Sequence, residues 1–124
     1  IEITNNSEEY IYCDKLELVD SIYNILKNSI ESLNSKEKNK LLEIFSYDKG
    51  NYIYLDIKDN GRGIKDSNIN KIFNPFFTTK SIGTGYGLGL SVSYDTIVHK
   101  YNGYIELINN KNKTHFQIKL PKDN

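Results

Sequence analysis

Asp59-Asn60-Gly61-Arg62-Gly63-Ile64 opens the stretch that decides the fold. It is followed by Ile72-Phe73-Asn74-Pro75-Phe76-Phe77-Thr78-Thr79-Lys80 and then by Gly83-Thr84-Gly85-Tyr86-Gly87-Leu88-Gly89-Leu90. Six of the eight glycines in the chain lie between Gly61 and Gly89. Glycine lets the main chain take positive φ and lets a ligand reach the backbone without a Cβ in the way, so the clustering reads as a loop shaped around a phosphorylated ligand. A single Gly-x-Gly marks a tight turn more often than a ligand. The signal here is the order of three pieces: an acidic residue before the first glycine pair, an aromatic-Pro-aromatic segment ending in Thr-Thr-Lys, and a glycine run opening into an apolar, helix-like stretch.

Upstream, Val19, Ile22, Leu26, Ile30 and Leu33 recur at three- and four-residue steps from about Lys15 to Asn34, which predicts an amphipathic helix with these residues as its core face. Asn24, Asn28 and Glu31 form a polar stripe expected on the opposite side. The plain reading is a solvated face. Asparagine is a poor helix former, however, and a face turned to water would more naturally use Lys or Glu, so the stripe also reads as facing a cleft.

These four segments, in this order, resemble the nucleotide-binding domain of the histidine-kinase, gyrase, heat-shock chaperone and mismatch-repair ATPase superfamily. Asn24 to Ser32 is similar to its N box, Asp59 to Gly63 to its first glycine box, Asn74 to Lys80 to the phenylalanine box of sensor histidine kinases, and Gly85 to Leu90 to the second glycine box. The resemblance covers almost the whole chain. It implies an α+β fold, a two-layer α/β sandwich of the Bergerat type, with a mixed sheet covered on one face by helices.

The resemblance also implies a ligand, ATP with Mg2+, and roles for particular residues. Asn28 would give a carbonyl oxygen to the metal, as a hard cation shared with a triphosphate requires, and Asn24 would support the phosphate end. Asp59, with Gly61, Gly63 and Ile64, would fix adenine, and Thr114 stands where Thr or Ser often accompanies the adenine-binding Asp. Phe76 would border the cleft, Lys80 would reach phosphate, and Gly85, Tyr86, Gly87, Leu88 and Gly89 would bring backbone amides to the phosphates. Asn24, Asn28, Glu31 and Lys80 are the residues assigned to transfer. Ser81 to Tyr86 reads as a lid with Gly83 and Gly85 as hinges.

Three positions depart from the usual pattern. Tyr86 stands where Thr or Ser is common, and Glu31 where many kinases carry Lys or Arg. Asn24 stands where hydrolytic ATPases of the superfamily carry a general-base Glu, and an amide cannot take a proton from water. That favours a kinase over a gyrase-type ATPase clamp. The resemblance thus implies a sensor histidine kinase catalytic domain that transfers the γ-phosphate to a histidine on its own separate dimerisation domain, absent from this chain, with a response regulator downstream. An anti-sigma-type serine kinase and a non-catalytic nucleotide-binding module share the fold and are the alternatives.

The remaining chain sets bounds. At 124 residues it is read as one domain, residues 1–124, with a single two-layer core. Sixteen basic and sixteen acidic residues cancel, so no global field favours nucleic acid or direct membrane contact. The single Cys13 excludes an intrachain disulfide and fits a reducing, cytoplasmic setting, with the parent protein a candidate for membrane anchoring. His99 and His115 read as surface and strand residues. Strands are expected at Ile1 to Thr4, Tyr10 to Cys13, Leu41 to Ser46, Tyr52 to Lys58, Tyr104 to Ile108 and Thr114 to Leu120. A short helix capped by Asp66 or Ser67 should reach Phe73, and a long one should run from Gly87 to a C-cap at Gly103.

Overall fold

The computed structural model describes residues 1–34, 38–64, 66–73, 86–109 and 113–122. Five strands, β1 (Glu2–Asn6), β2 (Leu42–Lys49), β3 (Tyr52–Asp59), β4 (Tyr104–Asn109) and β5 (Thr114–Pro121), form one sheet in the order β1-β2-β3-β5-β4. β1 runs parallel to β2, and the other pairs are antiparallel. This is the mixed sheet of the expected α+β sandwich. The strands β2 and β3 meet at a two-residue turn, Gly50-Asn51, with Lys49 opposite Tyr52. Gly50 takes φ 60°, the left-handed conformation such a turn demands.

Two helices cover one face. α1 (Lys15–Leu33) starts at Asp14, whose side chain accepts a hydrogen bond from the Glu17 amide. α2 (Tyr86–Tyr94) continues as a π-helical turn, Asp95–Lys100, so the Tyr101 amide donates to the carbonyl of Thr96, five residues back. Between sheet and helices lies a core of Ile25, Leu42, Ile57, Ile97, Phe116 and Ile118, with Leu18, Leu33, Leu90 and Leu120 at its margin. Phe116, Ile118 and Leu120 point inward as their alternation predicts.

The buried face of α1 is rotated from the predicted one. Leu18, Ser21, Ile25, Ser29 and Leu33 are its buried residues, and Ile22 and Leu26 pack at the edge. Val19 and Ile30 are 52% and 44% exposed. Large apolar side chains alone define the sequence period, and here two serines occupy the inner face, Ser21 where α2 approaches closely: Ser93 Oγ donates to the Ser21 carbonyl at 2.8 Å, wholly buried. The polar stripe therefore flanks the buried face instead of opposing it.

Other differences are local. Tyr10 to Cys13 forms no strand; Ile11 and Cys13 turn inward and Tyr10 and Tyr12 outward, but the segment runs straight into the Asp14 cap. The short helix after the first glycine pair is a 3-10 turn, Asp66–Lys71. Asn102, not Gly103, takes the left-handed conformation after the second helix, with φ 56°. Gly103 is needed for another reason: a Cβ there would lie 2.4 Å from the Lys119 carbonyl oxygen.

The uncovered face of the sheet carries its own polar cluster. Asp56, on that face by alternation, is nearly buried and its Oδ1 receives His115 Nε2 at 2.9 Å and Gln117 Nε2 at 3.0 Å. Stacked beside it are Tyr47 and Tyr54, with ring centroids 5.0 Å apart. His115 is thus a structural partner of Asp56 on the side of the sheet away from α1 and α2.

Candidate nucleotide site

Asp59 ends β3, the middle strand, where register sets it between Leu42 of β2 and Thr114 of β5. A side chain at the end of a central strand is held by two ladders at once, so its position is fixed by the sheet. It is 1% exposed. Its Oδ1 accepts from the Gly61 amide at 3.0 Å, while Oδ2 has no hydrogen-bond partner. Burial raises the carboxyl above its ordinary range, opposed by the Gly61 amide and by the Ser32 and Ser29 hydroxyls. Thr114 is 4% exposed and its Oγ1 is also unpartnered. Buried polar groups are nearly always paired, so two open ones on adjoining strands mark a place that expects a ligand.

The turn after Asp59 is tied down on both sides. Asn60 Oδ1 accepts from the Leu41 amide at 2.8 Å and its Nδ2 donates to the Asn39 carbonyl at 2.7 Å. Gly61 presses on the last turn of α1, where a Cβ would lie 2.3 Å from Ser32 Oγ and 2.6 Å from the Ser32 carbonyl carbon and oxygen. Gly63 takes φ 76° and Ile64 packs on the core margin. The glycine box thus has two different needs, close approach at Gly61 and left-handed backbone at Gly63.

Asn24, Asn28 and Glu31 are half-buried along one flank of α1. Asn24, Asn28 and Ser32 follow at four-residue steps on one ridge, which leads from the asparagine pair to the Gly61 contact and spans about 12 Å of helix. Asn28 Nδ2 donates to the Asn24 carbonyl at 2.7 Å. That bond uses the donor end of the amide and leaves Oδ1 as its free acceptor, the end a hard cation takes. Among the described residues no three His, Cys, Asp or Glu side chains gather as a metal cluster, so a cation here would rely on this amide oxygen and on the ligand's own oxygens.

The two helices run antiparallel. Ser21 meets Ser93, and near the other end Glu17 Oε2 receives the Tyr101 hydroxyl at 3.2 Å. Seven residues onward from Ser21 and seven back from Ser93, the same course brings Asn28 beside the first turn of α2, formed by Tyr86, Gly87, Leu88 and Gly89. The amide groups and positive dipole end of that turn favour an anion there. The Gly61 contact at Ser32, the Asn28 amide and the first turn of α2 therefore lie along one side of α1. Phe76, Lys80, Gly85 and most of the proposed lid lie outside the described residues.

Sequence reasoning missed Ser29 and Ser32. Their signal was available: serine is a modest helix former, and at an inward position of a strongly apolar helix it indicates either close backbone approach or a buried polar partner. His99 is exposed near the end of the second helix, 3.9 Å from Asp95.

Comparisons with known proteins agree with this fold. The family profile described as histidine kinase-, DNA gyrase B- and HSP90-like ATPase matches residues 13–124. Sporulation kinase B of Bacillus subtilis is 33% identical over 124 residues, covering 99% of this chain and 28% of that protein. AtoS, a signal transduction histidine-protein kinase of Escherichia coli, is 35% identical over 103 residues, 83% of this chain and 16% of AtoS. Among solved structures, the nucleotide-free catalytic domain of the histidine kinase ThkA superposes with a TM-score of 0.79 at 28% identity, covering 98% of this chain and 78% of that one. The chain thus spans less than a third of the two curated relatives named.

Proposed function

The chain belongs to the family of histidine kinase-, DNA gyrase B- and HSP90-like ATPases, and we propose that it works as the catalytic, ATP-binding part of a two-component sensor kinase, delivering the γ-phosphate of Mg-ATP to a histidine outside this chain. The observation that carries this reading is the Asp59 carboxylate, with one oxygen held by the Gly61 amide and the other buried and unpaired. An amino group on a purine edge would satisfy that oxygen, whereas the oxo group of guanine would oppose it. Recognition of adenine follows from a single acceptor.

Phosphoryl transfer depends mainly on positioning and charge neutralisation. In this reading Asp59 and Thr114 hold the base, and the α1 ridge aligns the triphosphate with the first turn of α2. Asn28 Oδ1 would ligate Mg2+, which would supply charge neutralisation to the phosphates. Lys80 is assigned to the phosphates by its place in the sequence. Glu31 lies on the same flank as Asn24 and Asn28. Asn24, an amide, cannot activate water, which favours transfer over hydrolysis.

The acceptor must come from elsewhere. His115 is bound to Asp56 on the far face of the sheet, and His99 is an exposed residue at the end of the second helix away from the site. The proposed partners are therefore the protein's own dimerisation domain and, after it, a response regulator. The relatives named above are a sporulation kinase and histidine kinases, one of them of signal transduction, which supports that assignment. Among the described residues no helix is long and apolar enough to cross a membrane, and use of ATP assigns the domain to the cytoplasm.

Calorimetry and a transfer assay test the reading together. The chain should bind ATP more tightly than GTP and hydrolyse it very slowly alone. Added to its own dimerisation domain, it should yield label that is acid-labile and base-stable, as phosphohistidine is, and Asn28→Ala should remove most of it. Equal affinity for ATP and GTP would refute the Asp59 assignment, and acid-stable label on serine would indicate a serine kinase.

A further inference from the structure

We propose that the outer flank of α1 is a docking surface for a second copy of this chain, with the two α1 helices side by side and antiparallel. Leu16, Val19, Tyr23 and Ile30 are 75%, 52%, 57% and 44% exposed, and with half-buried Leu26 they follow one another at steps of three, four, three and four residues. Single exposed apolar residues are ordinary, but a continuous row of them along one helix is not. The spacing is that of a helix-pairing seam, in which the first and fourth positions of each heptad meet a neighbouring helix. Here Leu16, Tyr23 and Ile30 take the first position and Val19 and Leu26 the fourth, over about 21 Å of helix. The row lies on the flank of α1 away from Asn24 and Asn28, so a helix seated there leaves the nucleotide ridge open. The contact is independent of the nucleotide reading.

The charges beside the row choose the occupant. Asp20 and Lys27, both exposed, take the fifth position of successive heptads. In a parallel pair that position faces the partner's seventh, filled here by Ile22, which packs on this chain's own core, and by Ser29, which is buried. In an antiparallel pair it faces its own equivalent, so Asp20 of each copy meets Lys27 of the other. An acidic and a basic residue seven apart complement each other when the helix is reversed, and that self-complementarity is what a two-fold contact requires. Lys27 also makes a contact within its own chain, and an ammonium has three donors to share. Exposed ion pairs contribute little affinity, so these two set direction and register while the apolar row supplies the attraction. A seam of about four turns is small beside the roughly 1,200–2,000 Å² that stable complexes bury, so the association is weak. Two copies held on one scaffold would still meet, at an effective concentration of about 1 mM.

Sedimentation equilibrium of the whole chain, at concentrations up to about 1 mM, tests the surface. The chain should pass reversibly from monomer to dimer, and Tyr23→Glu should raise the dissociation constant of the dimer about tenfold or more. A charge exchange then tests the geometry. Asp20→Lys and Lys27→Asp, each alone, set like charges opposite one another and should each weaken self-association about five- to tenfold. An equimolar mixture of the two should form a mixed dimer, and Asp20→Lys with Lys27→Asp in one chain should pair with itself, both within about threefold of the parent. All three substituted residues are exposed, so unfolding midpoints should match the parent's. A chain that stays monomeric throughout, a dimer that Tyr23→Glu leaves unchanged, or charge variants that do not recover on mixing overturns the proposal. Tyr23→Glu that weakens binding of the dimerisation domain, with the chain alone monomeric, would assign the flank to a helix of that domain and overturn the second copy as its occupant.

Discussion

Gly61→Ala tests the geometry most directly, because the space for a methyl group is defined on every side that matters. The new Cβ would fall 2.3 Å from Ser32 Oγ and 2.6 Å from the Ser32 carbonyl carbon and oxygen. The hydroxyl can swing away, but the carbonyl belongs to the last turn of α1 and cannot move without that turn. The strain therefore passes to the Asp59 loop. Overpacking of this kind costs about 1–3 kcal/mol. Displacing the Gly61 amide from Asp59 Oδ1 removes a hydrogen bond to a charged group, about 1.5–3 kcal/mol. One movement causes both losses, so they overlap, and the expected destabilisation is about 2–4 kcal/mol. Urea denaturation should show a lower midpoint with an unchanged slope. ATP affinity should fall at least about tenfold, which corresponds to about 1.4 kcal/mol. A Gly61→Ala chain with the parental midpoint and the parental affinity would refute the close contact with α1. Loss of stability with full affinity would show that Asp59 does not depend on its amide partner.

Asp59→Asn should act on stability and binding in opposite directions. Because burial raises the folded carboxyl above its unfolded value, the group's contribution to stability is fully present below the unfolded pKa and is lost as pH rises through the folded one. At neutral pH the Asn variant should therefore melt higher than the parent by calorimetry, while binding ATP about ten- to a hundredfold more weakly. A lower melting temperature at neutral pH would contradict the cost assigned to the buried charge. His115→Ala should lower stability by about 1–3 kcal/mol, since it removes one of two donors to a nearly buried carboxylate, yet leave transfer to the dimerisation domain intact; loss of label in the folded variant would mean that His115 takes part in the chemistry. His99→Ala should stay within about 0.5 kcal/mol of the parent in denaturation. Gly103→Ala should destabilise by about 1–3 kcal/mol against the Lys119 carbonyl, with ATP affinity unchanged in calorimetry of the folded protein.

The sheet was legible in the sequence wherever one face is apolar and the other is not. Ile53, Leu55 and Ile57 alternate with Tyr52, Tyr54 and Asp56, and Phe116, Ile118 and Leu120 alternate with His115, Gln117 and Lys119, so strand and facing could be read together. The rotation of α1 could not. Val19 and Ile30 fit a helical apolar period as well as Leu18 and Ile25 do, and what decides between them is where the neighbouring helix packs, with Ser21 at the contact. The same reason hid Ser29 and Ser32 from the candidate site, because a small polar residue carries no periodic signal of its own. The π-helical turn after Tyr94 was equally hidden, since one extra residue in a turn leaves apolar spacing almost unchanged. Asp59 was legible as the end of a strand whose limit the turn residues announce, whereas Thr114 entered only through the family resemblance.

The clasp at the far end of the helix pair has a mechanical consequence. The Tyr101 hydroxyl accepts from the Asp14 amide at 2.9 Å and donates to Glu17, which also receives the Lys100 ammonium. The start of α1 and the end of the second helix are thereby pinned together, while the start of α2 has no such anchor among the described hydrogen bonds. The second helix is then held at Tyr101 and again where Ser93 meets Ser21, and the outer arm is the seven residues from Ser93 back to Tyr86, about 10 Å long. A tilt of roughly 11° of that arm about Ser93 displaces its end by about 2 Å, comparable to the reach of one hydrogen bond, and leaves Ser93 itself nearly still. Fine adjustment of the phosphate end is thus separated from the packing that keeps the domain folded.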